Sequence, residues 1–288
     1  MDDLAGRTAV VTGAASGIGF ALAAAFVRAG MRVVLADVEA PALEAAAGVL
    51  ADTGGTVLPV PTDVSEAAQV EHLRERTEAV FGPTHVLCNN AGVLLPQQPA
   101  WQLELDDWRW VLGVNLWGVV NGIRTFVPGM LAAGHPGHVV NTSSNAGVVT
   151  VAGQAAYSAS KHAVTAISET LQLDLQAAGA DLGVTVVCPG PVRTAIARSA
   201  RNRPDHKVDG DAELDRQGVP QVLERLGDDP AAVAAAVVRA IRARAFYVFT
   251  RDSVHASITE RARRMVEGDG PAVPAHLPAY GLDTPSSG

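Results

Sequence analysis

Tyr157 and Lys161 stand out for the chemistry they can do together. They lie four residues apart in Tyr157-Ser158-Ala159-Ser160-Lys161, inside a stretch, 154–178, whose pattern predicts a helix. At that spacing two side chains share one helix face, with Cβ atoms about 5–6 Å apart. A free phenol titrates near ~10, and bringing it to ~7 takes about 4 kcal/mol in favour of the phenolate. One ammonium at about 4–5 Å, in an effective dielectric of about 20, supplies roughly that much. Such a pair acts as a general acid/base near neutral pH. The plainer alternative is a surface tyrosine beside a solvated lysine. Residue usage bears on the choice. Of 22 basic residues only Lys161 and Lys207 are lysine. A lysine against that bias fits a site that needs a compact ammonium rather than a planar guanidinium.

A second constellation lies near the start: Thr12-Gly13-Ala14-Ala15-Ser16-Gly17-Ile18-Gly19, between an apolar run and a helical pattern. Glycines there let the backbone turn tightly and approach a pyrophosphate, and the following helix points free N–H groups at it. The spacing is G-x-x-x-G-x-G rather than G-x-G-x-x-G, so the motif alone also fits a structural turn. Asp37 falls at the end of the second strand-like run, where a carboxylate accepts from the ribose hydroxyls of NAD and repels a 2′-phosphate. No basic residue stands at Ala15 or Val38 to neutralise such a phosphate. The alternative for Asp37 is a strand-end cap. Asp63 repeats the pattern after the third run and by itself reads as a turn residue.

The elements that must position these residues alternate regularly. Strand-like runs fall at 8–11, 32–36, 56–60, 85–88, 138–141, 184–188 and 246–249, with helical stretches at 17–29, 40–51, 66–81, 105–133, 154–178 and 230–243. Several runs are continuously apolar, as parallel strands buried on both faces are. The rhythm predicts an α/β fold: a single doubly wound parallel sheet, the Rossmann fold, with helices on both faces. One domain is expected over 1–267. Within it, 195–228 is polar, carries nearly balanced charge and few apolar residues, and reads as a substrate lid that buries little surface. A Pro-rich tail follows at 268–288.

With the motifs in order, the chain resembles the short-chain dehydrogenase/reductase family, in its short, non-extended branch. The matching residues are the TGAASGIG turn, Asn89-Asn90-Ala91-Gly92, Asn115, Ser144 in NTSSNAG, the YSASK box, and Pro189-Gly190-Pro191-Val192-Arg193-Thr194. They span about residues 5–250. The resemblance implies nicotinamide-dependent hydride transfer, with Tyr157 as proton donor or acceptor to the substrate oxygen. Lys161 would lower its pKa and hold the nicotinamide ribose, and Ser144 would polarise the same substrate oxygen. Ser143 is the rival hydroxyl, and family spacing favours Ser144. Asn115 would anchor a water relay from Lys161; a buried structural amide is the alternative. Gly13, Ser16, Gly17, Ile18 and Gly19 would cradle the pyrophosphate. Asp63, Val64, Asn90, Ala91 and Gly92 would line the adenosine half, and Pro189, Gly190, Val192 and Thr194 the nicotinamide end. The expected cofactor is NAD, and the expected substrate a small secondary alcohol or ketone. The family's interface helices, 105–133 and 154–178, imply a homodimer or homotetramer; the latter carries a small-residue stripe at Ala159, Ala163 and Ala166. A non-catalytic nucleotide-sensing or scaffolding protein on the same fold is the other reading, and the complete Asn115, Ser144, Tyr157, Lys161 set weighs against it.

Composition removes other classes. Thirty acidic residues against 22 basic give a net charge of −8, which repels phosphate and argues against nucleic acid and anionic membrane as partners. No apolar run reaches the ~18 residues of a spanning helix, and the N-terminus lacks a signal-peptide pattern. Cys88 and Cys188 sit in strand-like runs as buried free thiols, so a cytoplasmic protein without disulfides is expected. His135 and His138 lack further ligands, and no metal is expected. Trp101, Trp108, Trp110 and Trp117 read as core packing rather than a substrate box. Arg198, Arg201, Arg203 and Lys207 read as a solvated loop surface rather than an anion site.

Overall fold

A computed structural model describes residues 3–204 and 209–272. Lys207 and the tail from 273 onward lie outside the described residues. Seven strands form one parallel sheet: β1 (Thr8–Thr12), β2 (Arg32–Asp37), β3 (Thr56–Pro61), β4 (Val86–Asn89), β5 (Gly137–Thr142), β6 (Leu182–Cys188) and β7 (Tyr247–Phe249). Their spatial order is β3-β2-β1-β4-β5-β6-β7. The helices are α1 (Gly17–Arg28), α2 (Ala40–Asp52), α3 (Ala67–Phe81), α4 (Leu105–Leu112), α5 (Gly118–Ala133), α6 (Ala155–Ala177), α7 (Asp209–Arg216), α8 (Val219–Leu226), α9 (Pro230–Ala243) and α10 (Ser253–Glu267).

Strands β1, β4, β5 and β6 are buried along their whole length, which is why their sequences run apolar without alternation. One face is sealed by α1, α2 and α9, with Leu22, Phe26, Leu43, Val237 and Ile241 in a single apolar cluster. The other is sealed by α3, α5 and α6 through Val70, Leu73, Phe126, Met130 and Leu175. Each large side chain fully buried there contributes about 1.5–3 kcal/mol. Strand order reverses between β1 and β4, which leaves a crevice beyond their carboxyl ends.

The sequence reading of 105–133 as one helical stretch is corrected. Helices α4 and α5 are joined by a π-helical turn, Gly113–Trp117, which carries Asn115. Glycines 113 and 118 weaken the regular ladder on either side of it. Helix α10 was not foreseen. Only Val254 in it is buried, so it shows little apolar periodicity, and i,i+4 ion pairs such as Arg264–Glu260 lace its surface.

His138 on β5 ties the sheet to acid. Its ring is fully buried, with Nε2 2.7 Å from Thr185 Oγ1. The Thr185 hydroxyl donates to Ala245 O, so His138 must donate from Nε2, and Nδ1 has no partner among the described residues. Burial, and then the Arg244 charge, push its pKa down to about 3. The unfolded chain therefore takes up this proton first, and stability falls as pH drops below about 6.5, by ~1.4 kcal/mol per unit. Urea melts at pH 7.5 and 5.5 should show that loss, and His138→Val should reduce it.

Candidate active site

A cavity of about 630 Å³ opens at the crevice. Its lining includes Gly13, Ser16, Gly17, Ile18, Gly19, Asp37, Asp63, Val64, Asn90, Ala91, Gly92, Ser144, Tyr157, Lys161, Pro189, Gly190, Val192 and Thr194. Asn115 is the one sequence-predicted residue that does not line it.

The glycine turn leaves β1 at Gly13, whose φ of 66° favours glycine. Ser16 is the N-cap of α1 and its side chain makes no capping bond, so the first-turn amides are left for another acceptor. Gly17 lies against Thr194: a Cβ there would fall 3.0 Å from the threonine methyl. Thr12 fastens the loop after β4, its Oγ1 accepting from the N–H groups of Asn90 and Ala91. Asp37 accepts from the N–H of Ala15 at 3.0 Å and of Glu39 at 3.1 Å, so it caps the strand end and lines the cavity at once. Asp63 accepts from the Ser65 N–H and hydroxyl; it is a turn residue that also faces the cavity.

Tyr157 and Lys161 rise from the first turns of α6. Lys161 is 3% exposed, and its Nζ donates to Thr142 O at 2.9 Å and lies 5.7 Å from the Tyr157 ring centre. Burial lowers the ammonium to about 8. Burial also raises the Tyr157 phenol above its usual 10, opposed by the Ser144 hydroxyl. The expected drop of the phenol toward ~7 is thus reversed: desolvation acts on both partners, and the Coulomb arithmetic from spacing had left it out.

The two serines divide. Ser143 Oγ donates to Lys161 O and meets Thr165 Oγ1, so its hydroxyl is committed to holding α6 on β5. Ser144 Oγ accepts the N–H of Ala146, and its hydroxyl lines the cavity against the Tyr157 phenol. Asn115 is completely buried. Its Oδ1 accepts from Val93 N, and its Nδ2 donates to Val93 O and Ser160 Oγ. The amide is a structural tie between the loop after β4 and the helix that carries Lys161.

The segment after β6 departs furthest from its sequence reading. A 3-10 stretch, Ala195–Asn202, with α7 and α8 buries Ala197, Leu214 and Val219 in a cluster with Leu94 that packs on Tyr157. The expectation of little buried surface is overturned. These short helices are amphipathic, and their charge count hid a narrow apolar stripe. Arg203 is likewise not on a solvated surface: it is 6% exposed, paired with Asp107 at 2.7 Å and stacked over Trp110. Trp110 is buried and lines the cavity, whereas Trp101 and Trp117 are exposed and are not core. Sequence reasoning also missed the Arg201–Glu39 ion pair, joined by Asn202. It bridges the tip of β2 and the segment after β6 at the cavity edge and holds Glu39 below the usual carboxylate range. Its partners are 162 positions apart, beyond any local pattern.

The parallel sheet, uncapped glycine turn and cavity at the reversal define a nucleotide-binding protein of Rossmann type. A family model described as short chain dehydrogenase matches residues 7–205. A 1-deoxy-11-beta-hydroxypentalenate dehydrogenase of Streptomyces exfoliatus is 42% identical over 225 residues, 77% of this chain and 80% of that protein. A C alpha-dehydrogenase of Sphingobium is 32% identical over 94% of this chain and 89% of its own. A short chain dehydrogenase/reductase from Burkholderia phymatum, solved in complex with NAD, superposes with a TM-score of 0.90 at 38% identity, covering 96% of this chain and 100% of that one. The chain belongs to the short-chain dehydrogenase/reductase family and is an oxidoreductase. Among the described residues no helix is long and apolar enough to cross a membrane.

Proposed function

We propose that this protein transfers a hydride between NAD and a secondary alcohol or the matching ketone. The observation that carries the reading is one cavity that joins the glycine turn and Asp37 to Ser144, Tyr157 and Lys161. The cradle suits a dinucleotide: a Cβ at Gly19 would fall 2.0 Å from Gly13 O, so backbone alone forms that wall. Gly13, Ser16, Gly17, Ile18 and Gly19 hold the pyrophosphate, Asp37 the adenosine ribose, and Asp63, Val64, Asn90, Ala91 and Gly92 the rest of that half. Pro189, Gly190, Val192 and Thr194 hold the nicotinamide end. With the cofactor held there, its nicotinamide would supply the hydride for a carbonyl carbon, or receive it in alcohol oxidation.

Tyr157 gives its phenolic proton to the oxygen as the carbonyl is reduced, or takes it from the alcohol as that is oxidised. Ser144 donates a hydrogen bond to the same oxygen and stabilises the charge that develops there. Lys161 sets a cation beside the phenol and stabilises the phenolate left in reduction, which regains its proton from solvent. Asn115 is a positioning residue. Its side chain being committed, a relay from Lys161 has only its main-chain carbonyl to use. The complete catalytic set disfavours the scaffolding alternative. Residues 195–204 and 209–228 act as the outer wall of the substrate pocket, within one catalytic domain proposed over 1–267. A cytoplasmic location fits the two buried thiols.

Asp37 sets the cofactor test. Its carboxylate should make kcat/KM for NADH at least tenfold higher than for NADPH, worth ~1.4 kcal/mol. Arg201 reaches this edge but is paired with Glu39. Steady-state kinetics with both cofactors check this; equal efficiencies would remove the assignment. The exposed stripe of Ala159 and Ala166 with Leu173 on α6 supports a homodimer or homotetramer. Light scattering at micromolar concentration should give at least twice the chain mass.

A further inference from the structure

Away from the glycine turn the cavity lining is largely apolar, with Leu94, Trp110, Val151, Ile196, Val219 and Leu223. The cations on that side are already matched, Arg203 by Asp107 and Arg109 by Asp106. Two neutral amides keep a buried atom that is not, among the described residues. Asn145 Oδ1 has no partner among the described residues, but its side chain sits against Gly190, at the proposed nicotinamide end. The other is Gln97. It is 8% exposed, lines the cavity, and its Nε2 has no hydrogen-bond partner among the described residues.

Gln97 is held firmly for a loop residue. Its N–H donates to Gln217 Oε1 and its carbonyl accepts from Gln217 Nε2, both at 2.9 Å. Gln217 is itself anchored by Glu213 on α7. The next N–H, of Gln98, donates to Gly153 O at 3.0 Å. Gly153, with φ of 75°, lets Gln97 approach: a Cβ at 153 would fall 3.1 Å from the Gln97 Cβ. Gly153 lies four residues before Tyr157, so the main chain at Gln97 is fixed beside the loop that leads into the reacting tyrosine. A buried donor with no partner is costly, and such groups persist where a ligand completes them.

Resting on the oxidoreductase reading above, we propose that Gln97 is a specificity-determining residue. It donates a hydrogen bond to a second, neutral oxygen function of the substrate, remote from the reacting carbon. The substrate class is a hydrocarbon-rich alcohol or ketone bearing a further carbonyl, hydroxyl or ether oxygen. A neutral oxygen is favoured over a carboxylate because the nearby guanidinium groups already face carboxylates, leaving no uncompensated positive charge.

The test compares NADH-dependent reduction of paired probes by the full-length wild type and Gln97→Met. Methionine keeps the length, removes the amide and leaves the main-chain bonds to Gln217 and Gly153. The pairs are cyclohexanone with cyclohexane-1,4-dione, and 1-decalone with decalin-1,5-dione; 4-oxocyclohexanecarboxylate is the anionic probe. The wild type should prefer the dione of at least one pair by about tenfold in kcat/KM, beyond the factor of two for its second carbonyl. Gln97→Met should bring that ratio near one without lowering the Tm, and the carboxylate should gain nothing. A ratio unchanged in Gln97→Met, or no dione preference in the wild type, overturns the role of Gln97 while ketone reduction stands. Preference for the carboxylate overturns the neutral class. Reduction of no ketone at all removes the proposed ketone-reduction reading and this inference with it.

Discussion

Tyr157→Phe should lower kcat for ketone reduction by about 10²–10⁴, the range typical of a lost general acid. The ring fills the same space, so packing on the cluster around Leu94 is kept. What goes is the phenolic proton proposed to reach the substrate oxygen, beside the Ser144 hydroxyl. NADH binding, followed by fluorescence, should persist. The pH profile of the wild type sharpens the test. Burial holds the phenol above 10, so the protonated acid dominates at neutral pH. Ketone reduction should be flat through pH 7 and fall only at high pH, while alcohol oxidation should rise with pH as the phenolate forms. A Tyr157→Phe enzyme that kept a third of its activity would falsify the assignment. Lys161→Arg should fail as well, because the buried slot beside Thr142 O fits an ammonium and not a guanidinium.

Gly19→Ala should abolish measurable NADH binding, a loss of at least about a hundredfold in affinity, or ~2.7 kcal/mol. The added Cβ would fall 2.0 Å from Gly13 O and 2.7 Å from Asn90 Nδ2, so backbone and not a pliable side chain must yield. The turn then moves out of the arrangement in which the α1 amides face an anion. Circular dichroism should still report the folded sheet, because β1 keeps its register with β2 and β4. Gly48, on α2, is the control: nothing lies within 4 Å of a Cβ there, and Gly48→Ala should bind NADH as the wild type does.

Parts of this site could be read directly from the chain. Tyr157 and Lys161 share a helix face by their spacing alone, and the glycine turn and Asp37 are local to the first βαβ unit. Such features need only the period of a helix and the order of strands. What stayed hidden depends on burial and on distant partners. The Coulomb arithmetic for Tyr157 left out desolvation, which moves both it and Lys161. Asn115 was recognisable as special from its poor helix-forming surroundings, but its bonds to Val93 and Ser160 belong to the folded packing. Arg203 looked like one more loop arginine until the chain brought Asp107 and Trp110 to it. The segment 195–228 misled by composition: a few apolar side chains among many charges suffice to seal a wall when they fall on one side of short helices.

On the proposed function, hydride passes from nicotinamide to a carbonyl carbon inside the cavity that Ser144, Tyr157 and Lys161 line. NADH doubly deuterated at C4, incubated with the enzyme and a panel of alicyclic ketones, tests it by mass spectrometry of the alcohols formed. Wild-type protein should leave one deuterium on the carbinol carbon of the product, and Tyr157→Phe should form almost no product. Alcohol formed without deuterium, or no reduction of any ketone by a wild-type protein that binds NADH, would contradict it.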